Sequence, residues 1–482
     1  MPRHEALFLI LKAIWAFFIF AYGACLGSLI NVIVYRLPRG ISVVSPPSRC
    51  PSCSTRLTWR ENVPVLGWLM LRGKCRFCKA RISPEYPVVE AIVGLLFVAC
   101  YLACYGIDPR FEIQGLNLGA IRPEWAQNDA SLTWPIFVVI LFLMASLVAM
   151  TIIDARTFTI PLVLTWVPAG IALIGHTAAA AWVGRNRPRL PVVAPGEMWS
   201  LSAPGSASWN WVGAALGGVL GLGVGLLLLR LGLITRSFAD YVEWEKSVTG
   251  DPRSLARSAQ EESTGEVSVV SATTDRPSTD LQSEVRATIA PQDSGHGTED
   301  SSPTDLWVHY PHARREMVKE MAFLAPCMLL ALAGWYLLPG LIGHGAQNNP
   351  QTGAFLPAMR VPLWLSVLSG VLIGYLVGGG VVWAVRILGS AAFGKEAMGL
   401  GDVHLMAAVG AVLGWIDSTL AFFMAAFVAL GWAVLGRIGS GVFKRAMPYG
   451  PFLAVATLLV FFGKPLVEAG LSLLLHRPVN LP

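Results

Sequence analysis

Ten apolar stretches, most about 20 residues long, constrain this chain more than any other feature. They cover residues 7–35, 87–105, 134–153, 160–183, 211–234, 321–343, 363–388, 402–415, 418–437 and 449–474. Crossing a bilayer core of about 30 Å takes about 20 mostly apolar residues in a helix. Lipid offers no partner for backbone polar groups, so runs of this kind are expected to be helical. The expected fold class is all-α: a polytopic membrane helix bundle of about ten transmembrane helices. Composition agrees, because only 14% of the residues are charged, against roughly 25% in an average soluble domain. The mean hydropathy is +0.57. These values exclude a disordered chain and argue against a purely soluble enzyme.

Charge placement sets the expected orientation. Segment 36–87 carries Arg36, Arg39, Arg49, Arg56, Arg60, Arg72, Lys74, Arg76, Lys79 and Arg81 against Glu61 and Glu85. Positive loops stay inside, so this segment is expected in the cytoplasm and the N-terminus outside. The first apolar run is too long for a signal-peptide core and is read as a retained helix. Counting spans puts the 154–159 turn, segment 235–320 and the 389–401 and 438–448 loops on the same cytoplasmic side. Segment 235–320 is rich in Ser, Thr, Asp and Glu. It has too little apolar surface to offset its ordering entropy and is expected to be mostly disordered, with helical ends at Tyr241–Lys246 and Arg314–Met321. Segment 184–210, rich in Pro, Gly and Ser, reads as an external loop.

Four of the eight cysteines form Cys50-Pro-Ser-Cys53 and Cys75-Arg-Phe-Cys78, with 21 residues between the pairs. Two such turns can offer four thiolates to one tetrahedral Zn²⁺. Nearby Arg49, Arg76 and Lys79 favour the thiolate form. Four sulfurs leave no open coordination position, so the metal would be structural, in a small cytoplasmic zinc-knuckle domain. A pair of disulfides or free thiols are the other readings, and a reducing cytoplasm argues against the first. Cys25, Cys100, Cys104 and Cys327 lie in apolar runs and are expected to be small buried hydrophobes.

Ionisable residues at the ends of spans are candidates for function. Asp154 closes the third run, and Asp402 follows Gly399-Leu400-Gly401 and opens a later one. The expected topology puts both at the cytoplasmic face. Two carboxyls sharing a site do not ionise together, so one can act as a base toward water while the other, protonated, acts as an acid. Gly399 and Gly401 would let a substrate strand approach the backbone. The plain alternatives are that Asp402 caps a helix and Asp154 is a solvated helix-end residue.

The wider sequence resembles the type IV prepilin peptidases, GxGD-type membrane aspartyl proteases. Gly27-Ser28, Asn31-Val32 and Arg36-Leu37-Pro38 are similar to the family's first helix and its exit. The cysteine quartet matches, with Trp59, Glu61-Asn62-Val63-Pro64, Gly67-Trp68 and Gly73-Lys74-Cys75-Arg76 between and around the pairs. Ile82-Ser83, Tyr86-Pro87 and Glu90 continue the pattern. Ile153-Asp154 with Ile160-Pro161, Glu396 to Asp402, and Pro448-Tyr449-Gly450-Pro451-Phe452 complete it. The resemblance implies Asp154 and Asp402 as catalytic residues and Cys50, Cys53, Cys75 and Cys78 as metal ligands. It implies cleavage of the basic leader of type IV prepilins or type II secretion pseudopilins. It further implies N-methylation of the new N-terminus from S-adenosylmethionine, although no glycine-rich Rossmann fingerprint appears. The implied location is the cell inner membrane.

The chain departs from the family at Leu162, where Asp or Asn is usual, and at His404, where lysine is usual. The expected organisation is a first helix over 1–35, the four-cysteine domain over 36–87, and helices with the first aspartate over 88–208. An inserted pair of helices is expected over 209–345, flanking the 235–320 loop, and the remaining helices with the second aspartate occupy 346–482. Expected partners are prepilin or pseudopilin substrates and the bilayer, with no nucleic acid. The competing readings are an intramembrane aspartyl protease with another substrate, and a non-catalytic transporter or assembly protein.

Overall fold

The computed structural model describes residues 3–108, 112–113, 116–186, 199, 201, 209–238, 240, 312–342, 361–440 and 448–477. The helices, in chain order, are α1 (Arg3–Arg36), α2 (Leu66–Met70), α3 (Glu85–Tyr101), α4 (Ala130–Thr157), α5 (Leu162–Asn186) and α6 (Trp209–Arg230). They continue as α7 (Ala313–Leu341), α8 (Leu363–Phe393), α9 (Leu400–Leu413), α10 (Trp415–Ser440), α11 (Gly450–Phe462) and α12 (Lys464–Leu475). A two-residue hairpin, β1 (Glu112–Ile113) against β2 (Leu116–Asn117), is the sole sheet among the described residues. The chain is all-α and polytopic: among the described residues, eight helices are long and apolar enough to cross a membrane.

Two of the ten expected spans take another form. Residues 449–474 are a pair, α11 and α12, bent by 85° at Gly463. Residues 402–415 correspond to α9, which at 14 residues extends about 21 Å, short of the hydrocarbon core. Its side chains explain why it is apolar all the same. Val403 and Leu405 through Leu413 are buried on every face, because α4, α5, α8, α10 and α11 all pack against it. It is an interior helix, shielded from lipid by its neighbours. Glycine permits the closest of these approaches: Gly374 of α8 and Gly410 of α9 meet backbone to backbone, with no room for a Cβ on either.

Helices α6 and α7 form a second closely packed pair. Gly213, Gly217, Gly221 and Gly225 recur every fourth residue, so they line one face of α6. Added Cβ atoms there would meet backbone of Gly334, Leu330, Pro326 and Phe323 on α7. Small residues at this spacing let two helices gain dispersion contacts in lipid, where no hydrophobic effect drives them together. This pair meets the rest of the bundle mainly through α8. Residues 313–320, expected within the long loop but with helical character, form the first turns of α7. Most of the expected loops 184–210 and 235–320 lie outside the described residues.

The helix directions collect one set of connections at one end of the bundle. The four-cysteine segment precedes α3, and at that end Arg156 of α4 pairs with Glu85 of α3 at 3.0 Å. Glu90 of α3 accepts the Val65 N–H at 2.6 Å, which seats the segment on the bundle. Cys100 and Cys104 are buried as expected, whereas Cys25 is exposed and Cys327 half-buried. Cys25 lies on an outward face, where an apolar thiol can meet hydrocarbon, whereas Cys327 sits at the α6–α7 contact, its Sγ 3.9 Å from where a Cβ on Gly218 would lie.

Candidate functional site

Asp154 occupies the last full turn of α4. The helix stops there because Phe158 takes a left-handed conformation (φ 55°) and returns its N–H to the Asp154 carbonyl at 2.9 Å. The Thr157 hydroxyl donates to the Ile153 carbonyl at 2.9 Å and meets the Thr159 hydroxyl at 2.8 Å, which tightens the exit. Pro161 then precedes α5. The residue is 5% exposed. Its Oδ2 accepts the N–H of Gly450, the first residue of α11, at 3.0 Å.

Asp402 lies in the first turn of α9, with Gly399 extended at the N-cap. It is 8% exposed and within electrostatic reach of Asp154. Ile160 fills the space between the two blocks. A Cβ on Gly401 would lie 3.0 Å from the Ile160 side chain, and a Cβ on Gly450 3.3 Å from it. Both carboxyls therefore face helix starts, where backbone N–H groups lack intrahelical partners and the macrodipole is positive. The structure brings Asp154, Asp402, Gly399 and Gly401 to one place. It adds Gly450, which the sequence offered only as part of the Pro448–Phe452 block. Two buried carboxyls that interact in this way can divide the roles of base and acid. Gly399 leaves backbone open beside Asp402, whereas Ile160 packs over Gly401.

The four cysteines also converge. Their Sγ atoms all lie within 4.8 Å of one another, with Cys50–Cys78 at 3.8 Å and Cys53–Cys75 at 4.0 Å. A tetrahedron with Zn–S bonds of about 2.3 Å has edges of about 3.8 Å. The two turns are built alike. Cys50 N–H donates to Thr55 and Cys75 N–H to Ala80, at 3.0 and 2.8 Å. Ser54 and Lys79, each four residues after the first cysteine of its pair, have φ of 57° and 60°. An isolated bridge closes each turn, Arg49 with Arg56 and Lys74 with Arg81. Hydrogen bonding from the Thr55 hydroxyl and backbone pulls the Cys53 thiol down to about 6. Backbone bonds from Cys78 and Phe77 lower Cys75. Cys78 stands at about 11: the Ala80 backbone bond lowers it, but desolvation and the neighbouring thiols outweigh that. Four thiolates this close repel one another, and a divalent cation at their centre removes the conflict. The quartet could hold a metal ion.

Residues 21–104 match the family described as Bacterial Peptidase A24 N-terminal domain, and residues 349–434 match the Type IV leader peptidase family. The first block contains the quartet and the second contains Asp402, whereas Asp154 and Gly450 fall outside both. The chain is similar to prepilin leader peptidase/N-methyltransferases. It is 51% identical over 87 residues to the one of Myxococcus xanthus, covering 18% of this chain and 26% of that protein. Similarity to the Klebsiella pneumoniae protein is 43% over 101 residues, or 20% of this chain and 44% of the relative. For the Vibrio cholerae protein it is 36% over 125 residues, or 23% and 49%. The chain thus spans from about a quarter to about half the length of these curated relatives. No solved structure matches it.

Proposed function

We propose that this protein is a membrane aspartyl endopeptidase that removes the basic leader from type IV prepilins or type II secretion pseudopilins. The observation that carries the reading is the meeting of Asp154 and Asp402, 248 positions apart in the chain, around Gly450 and Ile160. The names of the matched relatives supply the substrate class. The precursor's apolar helix lies along the bundle in the bilayer, and its leader reaches the end where both carboxyls sit. One carboxylate takes a proton from water as the water oxygen attacks the scissile carbonyl. The other carboxyl gives its proton to the carbonyl oxygen. Collapse of the tetrahedral species breaks the C–N bond: the proton first taken from water passes to the departing amine, and the second carboxylate takes a proton back from a hydroxyl of the tetrahedral species as the new carboxyl group forms.

The quartet Cys50, Cys53, Cys75 and Cys78 holds a structural Zn²⁺ in this reading and stiffens the segment beside α3. The N-methylation in the relatives' names implies S-adenosylmethionine as methyl donor. No residue of this chain is assigned to the donor, and no step above passes through it. The enzyme resides in the cell inner membrane with the two aspartates on the cytoplasmic side, a placement supported by the basic four-cysteine segment at the same end of the bundle.

The test is leader removal from a prepilin precursor in membranes. Asp154→Asn and Asp402→Asn are each expected to reduce cleavage by at least about 10⁴-fold while the protein still inserts. Near-normal processing by either variant refutes the reading.

A further inference from the structure

Arg386 lies in apolar α8 with its side chain 1% exposed. A guanidinium so placed needs counter-charges and acceptors. Two separate parts of the chain supply them. Nε donates to Glu320 Oε1 of α7 at 2.9 Å. Nη1 donates to Glu396 Oε1 at 2.6 Å and to the Met398 carbonyl. Glu396 and Met398 belong to the turn that runs directly into Gly399 and Asp402. The Ser390 hydroxyl accepts the Ala397 N–H of the same turn at 3.0 Å.

Glu320 is as well anchored as the arginine. Its carboxylate accepts Trp383 Nε1 at 2.9 Å and the Ser237 hydroxyl at 2.8 Å, besides Arg386. The Phe238 ring lies 5.3 Å from the guanidinium. The α6–α7 pair, expected as an insertion, therefore reaches the segment before Asp402 through one planar cation. The guanidinium fork is rigid. Fixing Nε on Glu320 fixes the direction in which Nη1 points at Glu396 and Met398.

We infer that Glu320 is a positioning residue: acting through Arg386, it sets the placement of the 396–402 segment, so that the α6–α7 pair holds Asp402 in register with Asp154. The inference rests on the peptidase reading above. Displacing a catalytic group by about 1 Å can cost about 10²-fold in rate. Loss of the Glu320 anchor should therefore appear in turnover more than in substrate binding.

The experiment measures kcat and KM for cleavage of a prepilin precursor by the full-length protein in membranes, with folded amount matched by thermal unfolding in detergent. Glu320→Gln keeps the side chain's size and removes its charge. It is expected to lower kcat about 10–100-fold with KM within about three-fold. Glu316→Gln is the internal control. Glu316 sits one turn earlier on α7 and bonds the Phe238 N–H and Lys319, not the segment before Asp402. It should leave kcat within about two-fold of wild type. Wild-type turnover in Glu320→Gln, alongside an inactive Asp402→Asn, overturns the inference and leaves the peptidase reading intact. Equal losses in both glutamate variants, with equal falls in melting temperature, overturn it as well, since the role is then structural only. An active Asp402→Asn refutes the peptidase reading itself, whatever Glu320 does.

Discussion

Gly450 bears directly on Asp154. A Cβ at position 450 would lie 2.6 Å from Asp154 Oδ2 and 3.1 Å from its Cγ. The same residue donates the N–H that fixes that oxygen. Gly450→Ala is expected to push the carboxyl out of line and lower cleavage by about 10²-fold, with membrane insertion unchanged. Wild-type kcat in that variant would show that the carboxyl tolerates displacement. The two aspartates were legible in the sequence because ionisable groups at the ends of apolar runs stand out against their surroundings. The role of Gly450 was not, since its partner lies 296 positions away and a glycine carries no side-chain chemistry to flag it. Arg386 had a visible signal, a cation inside an apolar, glycine-rich run. Its pairing with Glu320, 66 positions earlier, had none.

Among the elements, the two cysteine turns were the most readable. Everything that shapes them is local: a pair of thiols three residues apart, a left-handed residue one step beyond, and a backbone bond closing the loop. Purified protein is expected to carry about one zinc per chain, and Cys50→Ser to lose most of it. Metal content unchanged by that substitution would exclude the quartet as the site. Helices α9 and α11–α12 were harder. An apolar run buried in protein and one facing lipid have the same hydropathy, and periodicity does not separate them. Length hinted at the interior position of α9. The bend at Gly463 had a local signal that hydropathy does not register, a glycine ending α11 and Pro465 in the first turn of α12.

For the molecule as a whole, the Arg156–Glu85 pair and the Glu90–Val65 contact put the basic segment at the same end as Asp154. Trp59 lies in that segment, and Glu124 lies in the connection at the far end, between α3 and α4; both are exposed. A Trp59→Cys protein should react with a membrane-impermeant thiol reagent only after cells are opened, and a Glu124→Cys protein in intact cells. The reverse pattern would put the carboxyls on the outer face and rule out leader cleavage in the cytoplasm. Composition and near-neighbour spacing were enough for the helical class, the rough span count, the paired cysteine turns and the candidate carboxyls, because each depends on residues within a turn or two of one another. Packing alone made the site: which apolar helix goes to the interior, which N–H meets Asp154, and how α7 reaches the segment before Asp402. Those contacts join residues tens to hundreds of positions apart, and they depend on how the surfaces of several helices fit together at once.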